Sequence, residues 1–148
     1  MKKLSAKSVF DLVRGFQPAC VIVAAAELDL FSILQVRPMK AAQVARRIKG
    51  DLRATTILLD ALAALRLLQR NAGGDPVYRV PPAVAEVLTE NGAHCMLGMV
   101  RHQGNCLRHW GQLAGVVRSG KPATRTPSAG STKRPCVMRS RLPIWSAT

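Results

Sequence analysis

Residues 38–80 constrain the fold more tightly than any other part of the sequence. Ala42, Val44, Ala45 and Ile48 mark a short helix that stops at Gly50. After the Gly50–Asp51 turn, a second helix is predicted from about Leu52 to Leu65, with Ile57, Leu58, Ala61, Leu62 and Leu65 facing inward. Leu67-Leu68-Gln69-Arg70 and Val77-Tyr78-Arg79-Val80 then flank the turn segment Asn71-Ala72-Gly73-Gly74-Asp75-Pro76. Two short apolar runs around a Gly-rich turn read as a β-hairpin. Helix, tight turn, helix and hairpin, in that order, make a winged helix-turn-helix with a small β-hairpin wing, spanning about 38–88. Pro81-Pro82 closes the hairpin, and Ala83 to Leu88 reads as one more short helix.

Helical segments flank this core on both sides. Val9, Leu12, Val13 and Phe16 recur at three- and four-residue spacing, which places them on one face. Pro18 suits a fresh helix start. From Cys20 to Leu28 the sequence is apolar all round, which predicts burial on every side, and Leu30, Phe31, Ile33 and Leu34 continue the core. On the far side, residues 93–118 read as one long helix. Cys95, Met99, His102, Cys106, His109, Leu113 and Val116 alternate in steps of four and three along a single stripe. Gly98, Gly104, Gly111 and Gly115 weaken that helix by up to ~1 kcal/mol each relative to Ala. Aromatic residues make up only 4% of the chain, and the apolar mass is Ala, Leu and Val, which favours helices over a β-sandwich. The expected fold class is mainly α.

The 148 residues suit one domain, and the net charge of +14 divides unevenly along them. Residues 1–90 carry 13 Lys/Arg and all 8 acids, whereas residues 91–148 carry 9 Lys/Arg and no acid. A domain over 1–120 is therefore expected, followed by a basic tail over 121–148. Pro122, Pro127, Pro135 and Pro143, with scattered Ser and Thr and no periodic apolar face, predict disorder in that tail. Its charge attracts nucleic acid or anionic membrane through counterion release, without a sequence code. Specific nucleic-acid recognition is not expected. The longest uncharged apolar run, Ala19 to Ala26, is far below the ~20 residues of a membrane span. A signal peptide fits poorly, because Asp11 and Arg14 interrupt the apolar stretch after Lys2–Lys3. Cys20, Cys95, Cys106 and Cys136 form no CxxC pair, which points to reduced, mostly buried thiols and a cytoplasmic chain.

Several blocks agree, in order, with a known family. Ala41-Ala42-Gln43-Val44-Ala45, Leu58-Leu59-Asp60-Ala61-Leu62-Ala63-Ala64-Leu65, Leu67-Leu68 and Tyr78-Arg79-Val80 resemble the N-terminal dimerisation domain of small-molecule O-methyltransferases. Ala24-Ala25-Ala26-Glu27-Leu28-Asp29-Leu30-Phe31 is similar to that family's opening helices. Arg108-His109-Trp110-Gly111-Gln112-Leu113, with Arg118-Ser119-Gly120-Lys121-Pro122, resembles the stretch leading out of the domain. The resemblance covers about residues 9–125. It implies a homodimer through the helices near 9–34 and 93–118. Val9, Phe10, Leu12, Val13 and Phe16, with the Ala19–Ala26 run, support this by offering more apolar surface than the core can cover.

Three departures qualify the resemblance. Family members begin the helix near residue 41 with Thr or Ser; here Lys40 cannot accept the free N–H groups, at a cost of about 1 kcal/mol. The position after Leu65 is typically Gly, and here Arg66 must take strain or end the helix differently. Third, the family continues into a Rossmann-like domain whose Gly-rich loop holds S-adenosylmethionine, with a His general base further on. This sequence has no GxG and only 28 residues after Gly120, whereas one βαβ unit needs ~30. The tail departs from the family after about Arg125. The expectation is a truncated or frameshifted product with no cofactor of its own, inactive alone, S-adenosylmethionine being the cofactor of full-length members.

No catalytic, cofactor-binding or metal-binding residue is assigned. His102, Cys106 and His109 share a helical face, but Cys95 lies ~21 Å along the axis from His109, and one helix seldom supplies three zinc ligands. A packed seam with polar tips is the preferred reading. Cys106 paired with His102 or His109 lacks an orienting group and an oxyanion site. The alternative function is a winged-helix DNA-binding transcriptional regulator, with Arg46, Arg47, Lys49, Arg53, Arg66, Arg70 and Arg79 as its cations. The outward residues of its second helix, Thr55, Thr56, Asp60 and Ala63-Ala64, offer few donors, and Asp60 repels phosphate.

Overall fold

A computed structural model describes residues 4–125. The Ser5 hydroxyl accepts the Ser8 N–H at 3.1 Å and starts α1, Ala6–Arg14. Helix α2, Gln17–Glu27, carries Pro18 in its first turn, where the missing N–H has no helical partner to lose. Asp29 takes a left-handed conformation (φ 57°) and turns the chain into α3, Leu30–Val36. The run from Cys20 to Leu28 is not buried on every side as expected. Val23, Ala25 and Ala26 are buried, while Cys20 and Leu28 are exposed.

The central motif follows. Strand β1, Met39–Lys40, leads directly into α4, Ala41–Ile48, and then into α5, Leu52–Ala64. Lys40 offers no cap through its side chain, but Gln43 Oε1 reaches back to accept the Lys40 N–H at 2.9 Å. The Lys40 ammonium instead pairs with Asp75 in the hairpin turn at 2.6 Å. Asp51 caps α5 by accepting the Ala54 N–H at 2.8 Å. Arg66 takes the left-handed conformation at the end of α5 (φ 60°), as the strained alternative requires. Strands β2, Gln69–Arg70, and β3, Val77–Arg79, form the expected hairpin. Strand β1 adds on the other side of β3, giving an antiparallel sheet of order β1-β3-β2.

Helix α6, Pro82–Leu88, precedes two helices where one was predicted: α7, Leu97–Trp110, and α8, Leu113–Ser119. The expected helix over 93–118 thus starts late and breaks at Gly111-Gln112, where glycine's low helix propensity leaves little to resist a turn. One core joins the elements through Leu30, Phe31, Leu34, Met39, Val44, Leu59, Leu62, Tyr78 and Leu97. Helix α5 buries Thr55, Leu59 and Leu62, so the expected inward face is rotated, and Ile57 and Leu65 are exposed. The fold is mainly helical with a three-stranded antiparallel sheet, in the order expected of a winged helix-turn-helix. The tail expectation beyond Arg125 lies outside the described residues.

Candidate dimerisation surface

Helix α1 buries none of its residues. Leu12 is 75% exposed and Val13 62%, and Val9, Phe10 and the following Phe16 are also exposed among the described residues. Its polar side is satisfied locally, with Lys7 Nζ 2.7 Å from Asp11 Oδ2. Near the other end of the described chain, Trp110, Leu113 and Val117 expose apolar side chains along α7 and α8.

Between these two regions, α2 packs on α7. Gly104 makes the approach possible: a Cβ there would lie 2.7 Å from Val23 Cγ1. Arg108 then ties the pair, reaching Glu27 Oε1 at 3.2 Å and Asn105 Oδ1 at 2.6 Å. Sequence reasoning named the exposed α1 residues correctly but missed Gly104 and the Arg108–Glu27 pair. A glycine inside a helix is the signal of close approach that identifies the first.

The His/Cys stripe does not form a continuous seam. Cys95 precedes α7 and is disulfide-bonded, against the expectation of reduced thiols, whereas Cys20 and Cys106 are free. Cys106 Sγ lies 3.6 Å from His102 Nε2, while Leu113 and Val116 fall on α8 beyond the break. Among the described residues, no three His, Cys, Asp or Glu side chains are grouped to hold a metal ion. Taken together, α1 and α2 give a 22-residue stretch, Ala6–Glu27, apolar and long enough to cross a membrane by length and composition. That is longer than the eight-residue run suggests, because α2 follows α1 after only Gly15 and Phe16.

Asp60 does not face outward as a free carboxylate. Its Oδ1 accepts the Tyr78 hydroxyl at 2.8 Å and lies 3.4 Å from Arg70 Nε. Burial, then the hydrogen bond and charge of Asp60, push the Tyr78 phenol up to about 12. One cation of the DNA-binding alternative, Arg70, is thereby engaged within the domain.

A mainly helical domain with a small antiparallel sheet and uncovered terminal helices is the class of unit this geometry defines. A family model for the O-methyltransferase dimerisation domain matches residues 10–91. The chain belongs to that family. Acetylserotonin O-methyltransferase of Homo sapiens is 32% identical over 115 residues, covering 75% of this chain and 33% of that protein. The tetracenomycin polyketide synthesis 8-O-methyl transferase TcmO of Streptomyces glaucescens is 30% identical over 123 residues, covering 82% and 35% respectively. Human N-acetylserotonin methyltransferase, solved in complex with SAM, superposes with a TM-score of 0.69 at 30% identity, over 81% of this chain and 36% of that one. The chain spans about a third of the length of the curated relatives it matches. None of these comparisons supports the DNA-binding alternative.

Proposed function

We propose that this chain is a self-associating unit that forms a homodimer through α1–α2 and α7–α8, on behalf of a methyltransferase that uses S-adenosylmethionine. The observation that carries this reading is α1, a helix with an apolar face and no buried residue. Fully burying a Val, Leu or Phe side chain contributes about 1.5–3 kcal/mol. Five such residues from each of two copies offset the roughly 4–15 kcal/mol cost of association. On this reading a second copy, rather than lipid, covers the apolar length of Ala6–Glu27.

The chain itself is proposed to transfer no methyl group and to take up no methyl donor. On this reading the donor, present in the solved human relative, is held by residues outside the third of that protein's length that this chain matches. The substrate of any associated methyl transfer is likewise set outside this chain, and no specific nucleic acid is a partner.

Sedimentation velocity on the purified chain tests the assembly, with a dimer expected at tens of micromolar and a clean, folded monomer overturning it. Flotation with uncharged phosphatidylcholine vesicles separates the lipid-bound outcome, since the basic residues after Gly120 bind anionic ones by charge alone. Calorimetric titration with S-adenosylmethionine is expected to show no heat of binding, and micromolar affinity contradicts the second statement.

A further inference from the structure

The segment after α8 does not leave from the tip of that helix. Gly120 adopts a left-handed conformation (φ 65°) and reverses the chain, with its N–H donating to the Val116 carbonyl. Lys121 N–H donates to Ser119 Oγ at 3.2 Å, which holds the first residue of the return. Thr124 then meets the side chain of Gln112, the residue that opens α8 at its opposite end. Gln112 Oε1 accepts the Thr124 N–H at 2.9 Å, and Gln112 Nε2 donates to the Thr124 carbonyl at 3.0 Å. The second Nε2 proton goes to the Arg108 carbonyl at 3.2 Å, in the last turn of α7.

The lengths agree with this path. A seven-residue helix rises ~10 Å, and four extended residues from Gly120 to Thr124 reach ~13 Å. The returning segment therefore runs back along α8 to the α7–α8 junction. A carboxamide is the side chain that fits, since one group must both accept an N–H and donate to the carbonyl of the same residue. Three hydrogen bonds on one exposed-segment amide also leave neither its oxygen nor its nitrogen idle.

We infer that Gln112 is a positioning residue that clamps the chain at Thr124 and so fixes the path of residues 120–125 back along α8 to the α7–α8 junction. Gln112 acts on Thr124 as a neighbouring strand would, while its third bond anchors the clamp to Arg108, itself tied to Glu27 of α2. The path of residues 120–125 is thereby linked to the α2–α7 packing. This inference is independent of whether two copies associate.

Residue-resolved amide hydrogen exchange on the full chain tests it, with the Leu107 amide inside α7 as internal reference. The Thr124 amide is expected to be protected in the parent chain. In Gln112→Ala the ratio of Thr124 to Leu107 exchange is expected to rise about tenfold, on the scale of losing two hydrogen bonds. Gln112→Glu keeps an acceptor for the Thr124 N–H but turns a carboxylate towards its carbonyl, and is expected to fall between the two. A general loss of stability moves both amides together and leaves the ratio unchanged. An unchanged ratio in Gln112→Ala, or an unprotected Thr124 amide in the parent chain, overturns the inference.

Discussion

The Tyr78 hydroxyl donates to Asp60 Oδ1 at 2.8 Å and fastens the central strand of the sheet to α5. Tyr78 is fully buried, whereas Asp60 is partly exposed and also pairs with Arg70. Removing the hydroxyl in Tyr78→Phe is expected to lower stability by about 1–2 kcal/mol, because a buried bond to a charged acceptor is lost while water still reaches Asp60. Urea unfolding measures it, and an unchanged midpoint contradicts it.

The same phenol gives a pH dependence of known sign. Its value in the folded chain is about 12, above the ordinary 10 of an unfolded tyrosine. Above pH ~10 the unfolded state therefore holds fewer protons than the native state, so stability falls as pH rises. The contribution is complete below that point and is lost progressively towards pH 12. Thermal melts across this window are expected to fall less steeply for Tyr78→Phe than for the parent chain.

Gly104 and Gly115 are expected to respond in opposite directions. A side chain at 104 meets Val23 at 2.7 Å, so Gly104→Val forces α2 and α7 apart at a cost of about 1–3 kcal/mol. Nothing lies within 4 Å of a Cβ at 115, and Gly115→Ala gains up to about 1 kcal/mol of helix propensity. Denaturation midpoints of the two variants on either side of the parent value bear this out.

Arg66 sits at φ 60°, where a Cβ is crowded against the backbone. The cap bonds there, from Arg66 N–H to the Ala63 carbonyl and from Leu67 N–H to the Leu62 carbonyl, need no side chain. Arg66→Gly is expected to raise stability by about 1 kcal/mol, whereas Arg66→Ala, which keeps the Cβ, is not. Equal melting temperatures for the two variants contradict the strain account.

Leu12 separates folding from assembly. Its exposure of 75% means that Leu12→Asp is expected to shift the stability of one protomer by no more than about 0.5 kcal/mol. The charge instead falls within the proposed contact, and sedimentation is expected to show a shift from dimer to monomer.

How far the sequence could be read depended on how many faces of each helix were apolar. Helix α1 alternates apolar and charged residues, so its apolar face through Val9, Leu12 and Val13, continued by Phe16, was legible from spacing alone. Helix α5 is apolar nearly all round from Ile57 to Leu65, and periodicity could not choose among its faces. The buried face runs through Thr55, whose hydroxyl is satisfied within the helix by donating to the Asp51 carbonyl at 2.6 Å and so can be buried, a placement no apolar period signals. Strand β1 has only two residues and no period to detect. The contact surfaces on α2 and α7 were hidden for another reason: Gly104 carries no side chain and matters only through what approaches it.

The sheet registers also order the folding of the chain. Arg70↔Tyr78 closes a loop within the hairpin, whereas Met39↔Tyr78 must bring together residues separated by the whole of α4 and α5. The longer loop costs about 1 kcal/mol more in closure entropy. By closure entropy alone the hairpin is the cheaper pairing and forms ahead of the β1–β3 one. Longer still is the loop closed by Glu27 and Arg108, 81 residues apart, so on the same entropic count the docking of α2 on α7 comes after both sheet pairings.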